Sequence, residues 1–294
     1  MTWNILHGGG GVRVPEIILE LIEHNADIVV LTEFRPAAGG RIRAALADHG
    51  YEFQATAPVP PPSLATSSHA NRASTACNRV LIASKRPARV FVPRVASPAS
   101  DIPPPCPVPS RFLAVEVDLP GDQRVIVLGV HIPDDGRPRE RAEFWQYLVA
   151  MARALAQEPV AIIGDFNAGR HRLDEHASTF SLPQMLGQLW SLGYDDAFRL
   201  IHGQRREFTW LAPAGSLPAL RTRSQLDGGQ HASTRGSEGA GQIEPPPASG
   251  FRIDTAWLSS LMAKRLTSAA YFHGVRERRL SDHSLFRVEF RLFA

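Results

Sequence analysis

The run Val160-Ala161-Ile162-Ile163-Gly164-Asp165-Phe166-Asn167 decides how this chain is read. Four consecutive apolar residues fit a strand buried on both faces. Gly164 interrupts the run, and Asp165 and Asn167 follow at once. Asp and Asn favour turns, so the segment alone is compatible with nothing more than a turn. Its weight comes from repetition along the chain.

Working outward, the same grammar recurs. Ile28-Val29-Val30-Leu31 is a second continuous apolar run and leads to Glu33. Val125 to Val130 is β-branched and leads to His131. Trp3 precedes Asn4, and Phe251 and Ile253 bracket Arg252 before Asp254. Leu280-Ser281 leads to Asp282-His283, followed by a segment over 284–292 in which Phe286, Val288, Phe290 and Leu292 alternate with polar residues, as a strand requires. Helical stretches lie between. Pro15 is placed at a first helical position with Glu16 in the first turn, after a flexible turn over Gly8 to Gly11. Ile17, Ile18, Leu21 and Ile22 then recur at helical spacing, and Asn25 and Asp27 close the helix. Arg139 to Ala156 sets Phe144, Leu148, Met151 and Leu155 on one face. Strands alternating with helices predict an α/β class with helix-covered sheets.

Composition narrows the field. The 294 residues are 44% hydrophobic and 21% charged, a globular profile that excludes a disordered or collagen-like chain. No apolar run approaches the roughly 20 residues needed to span a bilayer, which excludes an integral membrane protein. The first residues show neither a basic nor an apolar leader region, and two cysteines, Cys77 and Cys106, cannot form a disulfide framework or a thiolate metal site. The expected compartment is the reducing cytoplasm. The net charge of +3 is carried almost wholly by arginine, with lysine only at positions 85 and 264. Coding-sequence bias is the simplest account, although the flat guanidinium fork also suits phosphate. Residues 57–75, 93–110 and 213–250 are rich in proline and small residues and read as surface loops. Motifs of one apparent site lie on both sides of each, so residues 1–294 are expected to form one domain.

Sites in α/β sheets gather at strand ends. Singly, Glu33 could be a cap, His131 a satisfied structural histidine, and Asp282-His283 a turn; their joint occurrence in this order points to function. Carboxylates such as Glu33 and Asp282 suit a hard divalent cation, Mg²⁺ or Mn²⁺, rather than zinc. An Asp paired with a His fixes the tautomer and stabilises the imidazolium. A neutral amide such as Asn167 can donate to a phosphoryl oxygen. Together these describe phosphoester hydrolysis.

Thr2-Trp3-Asn4-Ile5, Leu31-Thr32-Glu33-Phe34, Gly129-Val130-His131, Gly164-Asp165-Phe166-Asn167, Arg252-Ile253-Asp254 and Ser281-Asp282-His283-Ser284 resemble, in order and over essentially the whole chain, the endonuclease/exonuclease/phosphatase (DNase I-like) superfamily. The resemblance implies a four-layer αββα sandwich, two packed β-sheets flanked by helices. It implies Glu33 as the main Mg²⁺ ligand (Mn²⁺ as a substitute), with Asn4 orienting it and Asp282 contributing to the metal site. It implies that Asp165 handles the attacking water and Asn167 holds a phosphate oxygen. His283, oriented by Asp254, would contact the scissile phosphate or act as acid or base, and His131 would be a phosphate contact or general acid. Arg111 resembles a phosphate-contacting arginine of some nucleases. Gly193 to Arg199, Phe208-Thr209-Trp210 and Phe251 before Arg252 resemble the exonuclease III and abasic-site endonuclease branch, with Phe251 lining a sugar pocket; Trp210 reads more simply as a core aromatic. Leu6 stands where some relatives carry a second acid.

The leading expectation is a Mg²⁺-dependent nuclease or phosphodiesterase acting on DNA, with Arg137, Arg139, Arg141, Arg170, Arg172, Arg205 and Arg206 supplying phosphate contacts. The first alternative keeps the site and changes the substrate to a phospholipid headgroup, inositol phosphate or sugar phosphate. No amphipathic membrane-docking stretch favours a lipid surface. A non-catalytic interaction module is the least expected, because none of the central residues is missing.

Overall fold

The apolar runs read from the sequence are strands covered on both faces. A computed structural model describes residues 1–59, 77–92, 105–211 and 250–291. The three loop-rich stretches fall largely outside the described residues, as does Leu292 at the end of the last expected strand. In chain order the strands are β1 (Thr2–Asn4), β2 (Ile28–Phe34), β3 (Phe53–Thr56), β4 (Arg79–Ser84), β5 (Ala88–Val90), β6 (Phe112–Leu119) and β7 (Gln123–His131). There follow β8 (Val160–Asp165), β9 (Tyr194–Asp196), β10 (Trp210–Leu211), β11 (Gly250–Phe251), β12 (Asp254–Ser259), β13 (Leu266–Phe272) and β14 (Leu285–Phe290).

Two six-stranded sheets result, ordered β13-β14-β1-β2-β4-β3 and β5-β6-β7-β8-β12-β9, with β10 and β11 pairing apart. Each sheet is mixed: β1 runs parallel to β2 and β7 parallel to β8, while their other neighbours are antiparallel. Val30, Ile82, Val127 and Ile163 meet between the sheets. The alternate residues turn outward. Val29 and Leu31 pack under helices α1 (Gly10–His24) and α2 (Pro36–Asp48). Leu128 and Ile162 pack under α3 (Pro138–Ala154), through Phe144, Leu148 and Met151, and under α4 (Gln184–Ser191). Burial of both faces is why these strands read as unbroken apolar runs. The architecture is the expected sandwich of two sheets flanked by helices.

One boundary differs. α1 begins at Gly10, and Pro15 lies inside it rather than at its start. Pro15 cannot donate to the preceding turn, but both Pro15 and Gly11 are exposed, so water can meet the freed carbonyl.

Candidate active site

The strand ends deliver three motif residues to one row. His131 on β7 and Asp254 on β12 are both register partners of Asp165 on β8. Gly164 makes this spacing achievable. Its φ is 151°, and a Cβ there would lie 1.9 Å from the Val130 carbonyl oxygen.

Asp165, Asp254 and His283 are almost wholly buried. His283 Nδ1 lies 2.9 Å from Asp254 Oδ2, and its Nε2 lies 4.0 Å from Asp165 Oδ2. His131 Nε2 approaches the same Asp165 oxygen at 3.7 Å. Asp165 accepts from Asn4 Nδ2 at 3.0 Å and from the Asn167 amide N–H at 2.9 Å. Burial pushes the Asp165 carboxyl up against the pull of the His283 cation, and Asp254 adds to the rise, to about 7. Burial opposes charge on His283, but Asp254, then Asp165 and Asp282, outweigh it and raise the imidazole to about 10. Burial, helped by Arg111 and His283, drives His131 well below the ordinary value, so it is neutral. The arrangement pairs a cationic imidazole with an acid that can take a proton near neutral pH.

Glu33 reaches the cluster from the other sheet. The β2–β4 register slips between Leu31 and Phe34, and Glu33 sits at φ 56°. Such a bulge re-aims a side chain at a strand end. Asn4 Nδ2 lies 3.4 Å from Glu33 Oε1, so one amide spans Glu33 and Asp165. The Asn4 oxygen accepts from the Leu6 N–H at 3.0 Å and keeps a second lone pair, so Asn4 organises the two acids while its oxygen faces the same region. Leu6, His7, Gly8, Gly9 and Gly10 all have positive φ. This left-handed turn, read from sequence as merely flexible, directs both the His7 N–H (2.8 Å) and its Nδ1 (2.6 Å) at Glu33 Oε2.

The other expected residues surround this centre. Asn167, at φ 46°, donates from Nδ2 to the Ile132 carbonyl at 2.9 Å. Arg111 is half-buried, with Nη1 buried and without a hydrogen-bond partner; Asp165 and Glu33 both act on its charge. Asp282 is partly exposed and accepts from the Trp210 indole at 3.0 Å, with its other oxygen 4.0 Å from His283 Nε2. Trp210 is therefore no core aromatic. It is half-buried, pairs with Phe251 at 5.6 Å between ring centres, and Phe251 meets Phe180 at 5.5 Å.

The arginines divide. Arg141 is fully buried and donates to the carbonyls of Pro133 (2.6 Å) and Asn167 (2.8 Å), so it braces the site and cannot bind phosphate from the surface. Arg137, just before α3, and Arg139, within it, pair with Glu140 and Glu143 of that helix. Arg170, Arg172, Arg205 and Arg206 are exposed.

Three features escaped the sequence. Arg252 is buried between Asp174 and Asp196, at 2.7 Å and 2.5 Å, and fixes the segment that carries Asp254. Thr209 Oγ1 accepts from the N–H groups of Ile253 (3.1 Å) and Asp254 (3.2 Å), and its carbonyl accepts from Ser284. His7 is the third. A buried partner for Arg252 could have been sought among nearby acids, but spacing gives no hint of Asp174; the glycine run was the signal for the turn holding His7.

Asp165, Asp254 and His283 place one donor atom each within 4.8 Å of the others, but the protonated His283 has no lone pair to offer, so the carboxylate oxygens make the donor set. Asp254 Oδ1 is buried with no hydrogen-bond partner, and Glu33 adds carboxylate oxygens nearby. This oxygen-rich donor set fits a hard divalent cation.

Comparison with curated proteins finds no match. Among solved structures, the chain resembles a 3' phosphatase, NExo, from Neisseria bound to a product DNA hairpin, at 20% identity and TM-score 0.65 over 99% of this chain and 98% of that one. It resembles an AP endonuclease from Archaeoglobus fulgidus at 17% identity and TM-score 0.64, over 99% and 98%. It also resembles the Xenopus laevis APE2 catalytic domain at 20% identity and TM-score 0.59, over 98% and 90%. At these identities the likeness establishes the fold. The model of the Endonuclease/Exonuclease/phosphatase family matches residues 1–283. With that match over nearly its whole length, the chain belongs to this family of phosphoester hydrolases.

Proposed function

We propose that this protein is a Mg²⁺-dependent phosphodiesterase of the cytoplasm that cleaves DNA by attack of water on phosphorus. The observation that carries the reading is the buried cluster at the strand ends, in which Asp165 Oδ2 lies 4.0 Å from Nε2 of a His283 whose Nδ1 is held by Asp254 at 2.9 Å. Asp165 takes the proton of the attacking water. Asp254 holds His283 Nδ1, which leaves the charged Nε2 side toward the phosphate to offset charge as the displacement proceeds. The second N–H of Asn167 Nδ2, and Arg111 Nη1, donate to phosphoryl oxygens. His131, neutral, contacts the phosphate or serves the leaving oxygen. Glu33 would hold the cation with Asp282 contributing, and a bound Mg²⁺ would supply Lewis-acid stabilisation of phosphoryl charge. Trp210 and Phe251 offer aromatic faces beside the site for a sugar. DNA as substrate is supported by the exposed arginines and by structural neighbours named for DNA-directed activities. The two free thiols suit a reducing compartment.

The test is a substrate panel with Mg²⁺, Mn²⁺ and EDTA: abasic-site duplex, single-stranded DNA, RNA, sphingomyelin and inositol phosphates. DNA cleavage that needs the metal and falls steeply with salt is expected. Turnover of small phosphoesters without DNA cleavage at low salt would overturn the DNA reading.

A further inference from the structure

We infer that His273 is a positioning residue for His283, acting through Ser284 from outside the catalytic cluster. The inference rests on the reading of His283 as the group that faces the phosphate. Phe272 and Leu285 form the last register pair of the β13–β14 hairpin, and His273 and Ser284 are the next residue on each side. Ser284 is fully buried, and its Oγ lies 2.7 Å from His273 Nδ1, its only hydrogen-bond partner among the described residues. His273 Nε2 lies 2.8 Å from Glu207 Oε1. Glu207 accepts from the Nε2–H, which leaves Nδ1 to accept from the Ser284 hydroxyl. Glu207, His273 and Ser284 thus form a chain from a surface loop to the residue that follows His283.

The loop at the outer end is itself fixed. Glu207 Oε2 meets Arg205 Nη2 at 3.0 Å, and the Phe208 carbonyl accepts from Arg276 Nη1 at 2.9 Å. One residue on, Thr209 serves both members of the Asp254–His283 pair. Its Oγ1 accepts from the Asp254 N–H at 3.2 Å, and its carbonyl accepts from the Ser284 N–H at 2.8 Å. Residues 207–209 therefore hold Asp254 directly and Ser284 by two routes, through the backbone and through His273. Asp254 and His283 are 29 positions apart in the chain and meet at 2.9 Å, so a shared reference segment sets that contact. The backbone bond alone holds Ser284 at one point; the hydroxyl bond adds a second and so sets its orientation. Such a bond adds little net stability, because an apolar pair of the same shape can replace it at small cost. Orientation is what it contributes, and a misplacement of about 1 Å at a catalytic group can cost on the order of 10²-fold in rate.

The experiment compares the wild type with Ser284→Ala and with His273→Phe, which keeps a ring beside Tyr271 (6.3 Å between ring centres) and removes both nitrogens. The whole protein is followed by proton NMR of the His283 Nδ1–H held by Asp254 and by steady-state phosphoester hydrolysis. In both variants that proton should exchange with water about tenfold faster, and kcat should fall about tenfold with KM unchanged. In a His283→Ala background His273→Phe should cost nothing further, which a loss of packing would not allow. Should His273→Phe alone lower Tm, the double variant His273→Phe/Ser284→Ala leaves no buried hydroxyl unpaired and should show the same losses. An unchanged Nδ1 proton in these variants, or an equal loss of rate with and without His283, overturns the role of His273. A wild type that hydrolyses no phosphoester sinks instead the reading of His283 as facing the phosphate; the Nδ1 proton still decides whether His273 orients that ring.

Discussion

Asp165, Asp254 and His283 sit within one buried knot, two of them in register on adjacent strands, whereas Glu33 and His7 meet at a rim on left-handed backbone. The first group is positioned by sheet hydrogen bonds and braced from behind by Arg252, Thr209 and Arg141. The second depends on φ values that cost a non-glycine residue roughly 1–2 kcal/mol each. The difference teaches that the acids and imidazole of the knot are held by the rigid frame, whereas the contact between Glu33 and His7 hangs on a local backbone conformation that small changes can alter.

The comparison can be broken most forcefully at Asp165. Asp165→Asn should lower kcat about 10³-fold while leaving Tm unchanged or higher, because a buried carboxylate with a raised pKa opposes folding when charged; a large fall in Tm would show that Asp165 is structural. The proposed mechanism requires Asp165 ionised and His283 protonated. Its kcat should therefore fall as pH drops below about 7 and fall again as pH rises above about 10.

Glu33→Gln should cost about 10²-fold and move the metal titration while leaving both limbs of the pH profile in place. Displaced limbs would mean that the two halves do not act separately. Thr209→Val should lower kcat roughly tenfold, at the cost of leaving two buried N–H groups without an acceptor. Thr209→Ser should restore both the rate and the upper limb, which a loss of packing alone would not allow. The smallest effect is expected at the margin between the halves. Trp210→Phe removes the indole N–H that Asp282 accepts and should cost about threefold in kcat/KM.

The rigid half was the more legible in the sequence, since apolar runs ending in Asp165 or His131 carry their own strand signal. Asp254 and His283 were also legible as motif residues, but their supports were not. Asp174 lies in the charged segment from Arg170 to Glu175, which looks like a solvated surface until Arg252 is seen inserted against it. Arg141 failed for the converse reason: an arginine on an amphipathic helix reads as exposed, and only the folded chain reveals the carbonyls that take it inside. The rim half was hardest. Periodicity places Glu33 just past the apolar run from Ile28 to Leu31 but says nothing of the register slip inside β2 that turns it, and a string of glycines announces freedom without saying which conformation uses it.

Gly164 carries a consequence for how this enzyme can change. Its missing methyl keeps β8 against the β7 carbonyl. Replacement by alanine would drive the two strands apart and misalign Asp165 with both of its lateral partners in one stroke. Asp282 is half open to solvent and held by side-chain contacts alone, from the Trp210 indole and the Ser281 hydroxyl, so a change of neighbour there leaves the sheets in place. Laboratory evolution toward new substrates should thus leave position 164 untouched and accumulate its successes along the outer wall.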